Sequence, residues 1–86
     1  MLHAELQSRI LILISLRWHE ISDRLGKLRR VTDPQLMAAC ATCDMELSPS
    51  FQTDMIQARN LDLDAAAINK LLTEHLDAWL NRLLAQ

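Results

Sequence analysis

Glycine, proline and aromatic residues are scarce in this chain: one Gly, two Pro, one Phe and no Tyr among 86 residues. That scarcity excludes a loop-rich or disordered polypeptide and argues against a β-sandwich, whose strands draw on aromatic and β-branched side chains. Two cysteines are too few for a disulfide scaffold. The longest apolar block, Ile10-Leu11-Ile12-Leu13-Ile14-Ser15-Leu16, falls far short of the roughly 20 residues that a spanning helix needs. Arg17-Trp18-His19-Glu20 follows it where a signal peptide would carry small residues before a cleavage site. The expectation is a cytoplasmic protein with no membrane span.

Apolar side chains, by contrast, make up half of the chain. A domain this short buries only about 60–65% of its unfolded surface and is marginal alone. The composition therefore predicts one all-α domain over residues 1–86, a small helical bundle completed by oligomerisation. Charge is uneven: residues 1–30 hold six of the nine basic side chains and three acids, whereas residues 31–86 hold three bases and eight acids. Packing of the two ends against each other, within one chain or between two, would complement these charges.

The pattern predicts long, short, short and long helices. Over residues 1–30, Leu11, Ile14, Trp18, Ile21, Leu25 and Leu28 follow a 3-4-3-4-3 spacing, the seam of a helix that packs knobs into holes. Leu2, Leu6, Ile10 and Leu13 form a second stripe. Such a helix would be roughly 40 Å long, and part of it is expected to meet another chain. Asp33-Pro34 is a cap followed by a first-turn proline, and Ser48-Pro49 repeats the signal. Between them, Leu36, Cys40, Cys43 and Leu47 read as the buried face of the second helix. Phe51, Met55 and Ala58 share a face in the third. Asn60 is a stop, Asp62 or Asp64 a cap, and Ile68, Leu72, Leu76, Trp79, Leu80 and Leu83 stripe the last helix.

Groups able to do chemistry are few. Cys40 and Cys43 form a CxxC, but a zinc site needs four ligands, and His3, His19 and His75 are each alone. The pair reads as two small core residues, and no metal or cofactor is expected. His19-Glu20 and Glu74-His75 are adjacent on helices and point about 100° apart, so neither pair serves one proton. Arg24, Lys27, Arg29 and Arg30, with Arg17 nearby, could hold an anion at a helix end. A pI near 5.8 and the lack of stacking aromatics set nucleic acid aside as a partner. Met37, Met45 and Met55 serve either as gap-fillers in the core or as an adaptable groove.

The apolar block, Arg17, Leu25-Gly26-Lys27-Leu28-Arg29, Asp33-Pro34 and the run from Leu63 through Ile68 and Leu71 to Gln86 together resemble the all-helical chorismate mutases. The resemblance implies a long first helix and an intertwined dimer. In it, Arg17 matches the mid-helix arginine one position too far from Gly26, and Arg29 falls at the catalytic lysine. Leu36 and Met37 stand where that family grips substrate with an Arg-Glu pair. A site that holds a dianion by cations is weakened by such replacements, so the resemblance bears on fold more than on activity. In size and composition the chain also resembles the small helical chaperones and adaptors of bacterial secretion and regulatory systems. The first expectation is a non-enzymatic interaction module whose partner is a protein, as homodimer or hetero-complex. Its interface would be Leu11, Ile14, Trp18, Ile21, Leu25 and Leu28 with Leu72, Leu76, Trp79 and Leu83. The second is a chorismate-mutase-like enzyme, and the third a nucleic-acid-binding dimer.

Overall fold

The computed structural model describes residues 3–26 and 33–85, which form five helices and no strand. They are α1 (His3–Leu16), α2 (Trp18–Leu25), α3 (Pro34–Glu46), α4 (Pro49–Asn60) and α5 (Ala65–Ala85). None of them is long and apolar enough to cross a membrane.

The expected continuous first helix is broken at Arg17, whose φ of −114° and ψ of 15° lie outside the helical range. Its N–H donates to the Ile14 carbonyl at 3.1 Å, a tightened last turn, and its own carbonyl accepts from Ile21 at 2.9 Å to start α2. The buried residues explain the break. Leu6, Ile10 and Ile14 face the core from α1, and Ile21 and Leu25 face it from α2. On one straight helix Leu6 and Leu25 would point about 100° apart, because each step of four residues advances the line by about 40°. The break lets both ends reach one core.

α3 starts as its sequence predicts: Pro34 occupies the first turn and the Asp33 carboxylate accepts from the Gln35 N–H at 2.9 Å. Its inward face is not the expected one. Met37, Ala38, Ala41, Thr42 and Met45 are buried, while Leu36, Cys40, Cys43 and Leu47 are exposed. Small side chains decide the choice. α1 and α3 form the most extensive helix pairing in the molecule, with the start of one tied to the end of the other by His3 and Glu46. Ala38 and Ala41 let the two backbones approach, and Met37 and Met45 fill the irregular space beside them. The Thr42 hydroxyl, also buried, donates to the Ala38 carbonyl at 2.6 Å.

Between α3 and α5 the local signals read directly. Ser48 precedes Pro49 at the head of α4, and Phe51 and Ala58 are buried with Met55 packed beside them. α4 ends at Asn60. Asp62 then takes a left-handed conformation (φ 52°), the Leu63 N–H donates to Ala58 O at 3.1 Å and the Asp62 N–H to Arg59 O at 3.2 Å. These paired reverse bonds are a Schellman stop with Asp in the place usually held by Gly. Of the two expected caps, Asp64 takes the role: its carboxylate accepts from the Ala67 N–H at 2.8 Å.

α5 closes the core with Leu72, Leu76, Trp79 and Leu80, while Ile68, Leu83 and Leu84 pack at its margin. Arg17 forms an ion pair with Asp77 of α5, and Arg24 of α2 donates a hydrogen bond to Asn81 one turn further along α5. Replacing Asp64 by Ala is expected to cost about 1 kcal/mol through loss of the cap. A thermal melt should show this as a drop of about 4–8 °C, and an unchanged midpoint would mean that the cap is redundant.

Candidate functional site

The ten residues expected to form an interface fall mostly inside this single chain. Ile14, Ile21, Leu25, Leu72, Leu76 and Trp79 are buried in the core, and Leu11, Trp18 and Leu83 pack partly buried against it. Leu28 lies outside the described residues. The described part of the seam, Leu11 to Leu25, therefore packs within the chain, because the break at Arg17 turns Ile21 and Leu25 of α2 into the core. Trp79 shows how completely: its ring is 5% exposed, and its indole N–H donates to the Asp44 carboxylate of α3 at 2.8 Å. A buried Trp needs such a partner for its one donor.

The expected basic cluster is not assembled among the described residues. Lys27, Arg29 and Arg30 lie outside them. Arg17 is engaged by Asp77 on α5 and by Glu20 one turn on, and these hydrogen bonds, Asp77's first, raise its pKa above the ordinary guanidinium value. A cation held by two carboxylates offers little field to a dianionic substrate. Arg24 donates to Asn81 at 3.0 Å.

Neither adjacent His-acid pair shares a proton. His19 faces Asp23 at 3.7 Å, whereas Glu20 turns to Arg17. His75 is half-buried, with Nε2 2.8 Å from the Asp54 carboxylate of α4 and its ring edge-on to Phe51 at 5.2 Å between centroids. This trio pins α4 to α5, and sequence spacing gave no sign of it because 21 residues separate Asp54 from His75. The pair borders a shallow pocket of about 260 Å³ that also holds Ser48, Ser50 and Arg82. The two serine hydroxyls lie 3.0 Å from each other, and neither is hydrogen-bonded to His75. Without a nucleophile joined to it, the pair does not form a hydrolytic relay. Among the described residues no group of three or more His, Cys, Asp or Glu side chains could hold a metal ion.

What remains is a surface. On α3, Leu36 is 53% and Leu47 79% exposed, with exposed Cys40 and Cys43 between them. At about 100° per residue the four side chains fall within about 60° of one another, opposite Ala41 and Met45. α3 is thus apolar on both sides, one turned to the core and one to solvent. α1 also carries Ile12 and Leu16, 60% and 78% exposed, on the side away from its buried line. At the far end a pocket of about 290 Å³ opens between Leu47, Asp44, Trp79, Leu83 and Arg82. Scattered exposed leucines are ordinary; here four exposed side chains line one side of a single helix.

Compared with protein-family models, curated proteins and solved structures, the chain matches none. Any functional reading therefore rests on its own residues.

Trp79→Ala is expected to destabilise the fold by about 3–5 kcal/mol, the range for emptying a buried aromatic site. The loss relative to wild type should persist in chemical denaturation at the lowest protein concentrations, where any association is absent. A loss that vanished on dilution would return Trp79 to an intermolecular contact.

Proposed function

We propose that this chain is a non-enzymatic helical interaction module, and that it works by burying the outward face of α3 and its apolar flanks against a protein partner. The observation that carries this reading is the exposed line Leu36, Cys40, Cys43 and Leu47 on a helix whose opposite face already fills the core. A helix needs only one apolar face to join a fold, so the second face serves something outside it. Engagement of that face by a helix laid along it would follow the helix-in-groove mode, with apolar anchors one to two turns apart.

Two features support a binding role over a catalytic one. Arg17 is held by two carboxylates, and Asp54–His75 has no joined nucleophile. The polar pairs Arg17–Asp77, Asp54–His75 and Asp44–Trp79 hold helices together, and Leu36 and Leu47 are left exposed.

The test is the double substitution Leu36→Glu/Leu47→Glu. Leu and Glu have similar helix propensities. Glu at the first turn suits the helix dipole about as much as Glu at the last turn offends it. Measured at dilutions where the chain is alone, stability should stay within about 0.5 kcal/mol of wild type, as for ordinary surface changes. The variant should also elute much earlier from a hydrophobic-interaction column. Loss of the fold would show the face to be internal core, and a variant unchanged in both retention and solution mass would show that it offers no adhesive surface; either result overturns the reading.

A further inference from the structure

The outward line of α3 has a property that a general apolar patch does not require. It reads Leu36, three residues, Cys40, two residues, Cys43, three residues, Leu47, and it reads the same backwards. Its midpoint is the Ala41–Thr42 peptide. A two-fold interface demands this kind of self-match, since whatever residue i meets on the partner must meet residue i in return. We propose that two copies of this chain pair antiparallel through the outward faces of their α3 helices. The dyad lies level with the Ala41–Thr42 peptide and sets Cys40 of each copy opposite Cys43 of the other. The inference rests on the reading of α3 as the binding face and names its occupant.

Charge fits the same register. In this pairing Leu36 of one copy lies opposite Leu47 of the other, at the mouth of the pocket with Trp79, Leu83 and Arg82. Asp33, one turn beyond Leu36, then lies past the end of the other copy's α3, where the chain turns through Ser48 into α4. Arg82 is there: it lines one pocket with Leu47 and Trp79 and the next with Ser48 and Ser50. It makes no ion pair with any other described residue. The contact Asp33–Arg82 is thus made twice, once on each side of the dyad. Asp44 meets Ala39 rather than an acid. A parallel pairing would instead set Asp44 on Asp44 and leave Leu36 away from the pocket.

Area and distance are also compatible. A stable interface takes about 800 Å² from each partner, a modest share of the 5650 Å² that the chain exposes. The face of a 13-residue helix, roughly 20 Å by 10 Å, is too small alone. The Leu47–Trp79–Leu83 pocket at the end enlarges it. Packed helices lie about 8–10 Å apart with Cα atoms about 2.3 Å off each axis. Facing Cα atoms then approach to roughly 3.5–5.5 Å, which overlaps the span of about 4.4–6.8 Å that a disulfide bridges.

The experiment uses the two single-cysteine variants, Cys40→Ser and Cys43→Ser, which cannot close a bridge within one helix. Each is oxidised with glutathione disulfide alone, and then as an equal mixture of the two. In each bridge formed, two protein thiols lose two protons and two electrons, and glutathione disulfide leaves as two glutathione thiols. The mixture should give covalent dimer several times faster than either variant alone, because only it contains Cys40 opposite Cys43. Light scattering of the reduced wild type should give twice the 9.8 kDa chain mass, and Leu36→Glu/Leu47→Glu should give the single mass. Equal cross-linking in all three reactions overturns the proposal. A wild type that stays at the single mass at millimolar concentration also overturns it, and if the Glu variant still changes column retention, the α3 face then binds a different protein.

Discussion

The close approach of α1 to α3 is the constraint on which the other features depend. It is possible because Ala38 and Ala41 put almost nothing between the two backbones. Once α3 turns that side inward, Met37 and Met45 are drawn into the core, the Thr42 hydroxyl must be satisfied by its own helix, and Leu36 and Leu47 are turned out. The break at Arg17 follows from the same core, since an unbroken helix would carry Leu25 away from the centre that Leu6 and Ile10 define. Polar side chains then fix the arrangement at its margins through Trp79–Asp44, His75–Asp54 and Arg17–Asp77. Each joins residues distant in sequence, and each satisfies a group that burial would otherwise leave unpaired.

This division of labour bears on function. An enzyme of this size would be expected to keep some charged groups unengaged and convergent, with perturbed proton affinities. Among the described residues Arg17 is shifted by its structural partners Asp77 and Glu20. The surplus here is apolar surface on α3 and α1, and apolar surplus is how a small domain gains a partner. Each exposed leucine that a partner covers returns hydrophobic free energy of about 25 cal/mol per Å², offset by the cost of association.

Much of the fold is legible in the sequence, and the reasons are local. Asp33-Pro34, Ser48-Pro49, Asn60 and Asp64 announce helix boundaries because caps and stops act over one turn of chain. The α5 stripe is legible because only one side of that helix is apolar. Periodicity leaves two features of the chain open. On α3 two opposite faces are apolar, and periodicity cannot say which turns inward; the pair Ala38 and Ala41, small residues three apart, was the available signal. Along residues 3–25 the heptad-like seam is real, but spacing alone does not distinguish contact with another chain from contact with α3 and α5. The pairings Asp54–His75 and Asp44–Trp79 lie 21 and 35 residues apart and depend on tertiary placement, which no local pattern encodes.

The two-sided character of α3 also shapes the energy landscape of folding. Most helices in small domains are steered by a single apolar face, and a helix rotated by half a turn is penalised at once because it buries charge. Half-rotated α3 would bury Leu36, Cys40, Cys43 and Leu47, none of them charged, so the native arrangement has a near competitor built from its own sequence. The penalty comes instead from volume. Leucines in place of alanines would hold α1 away and leave voids around Ile10 and Ile14, in an interior that tolerates few of them. The energy gap that makes this chain fold to one structure therefore depends less on the division between polar and apolar residues than on the difference in size between alanine and leucine.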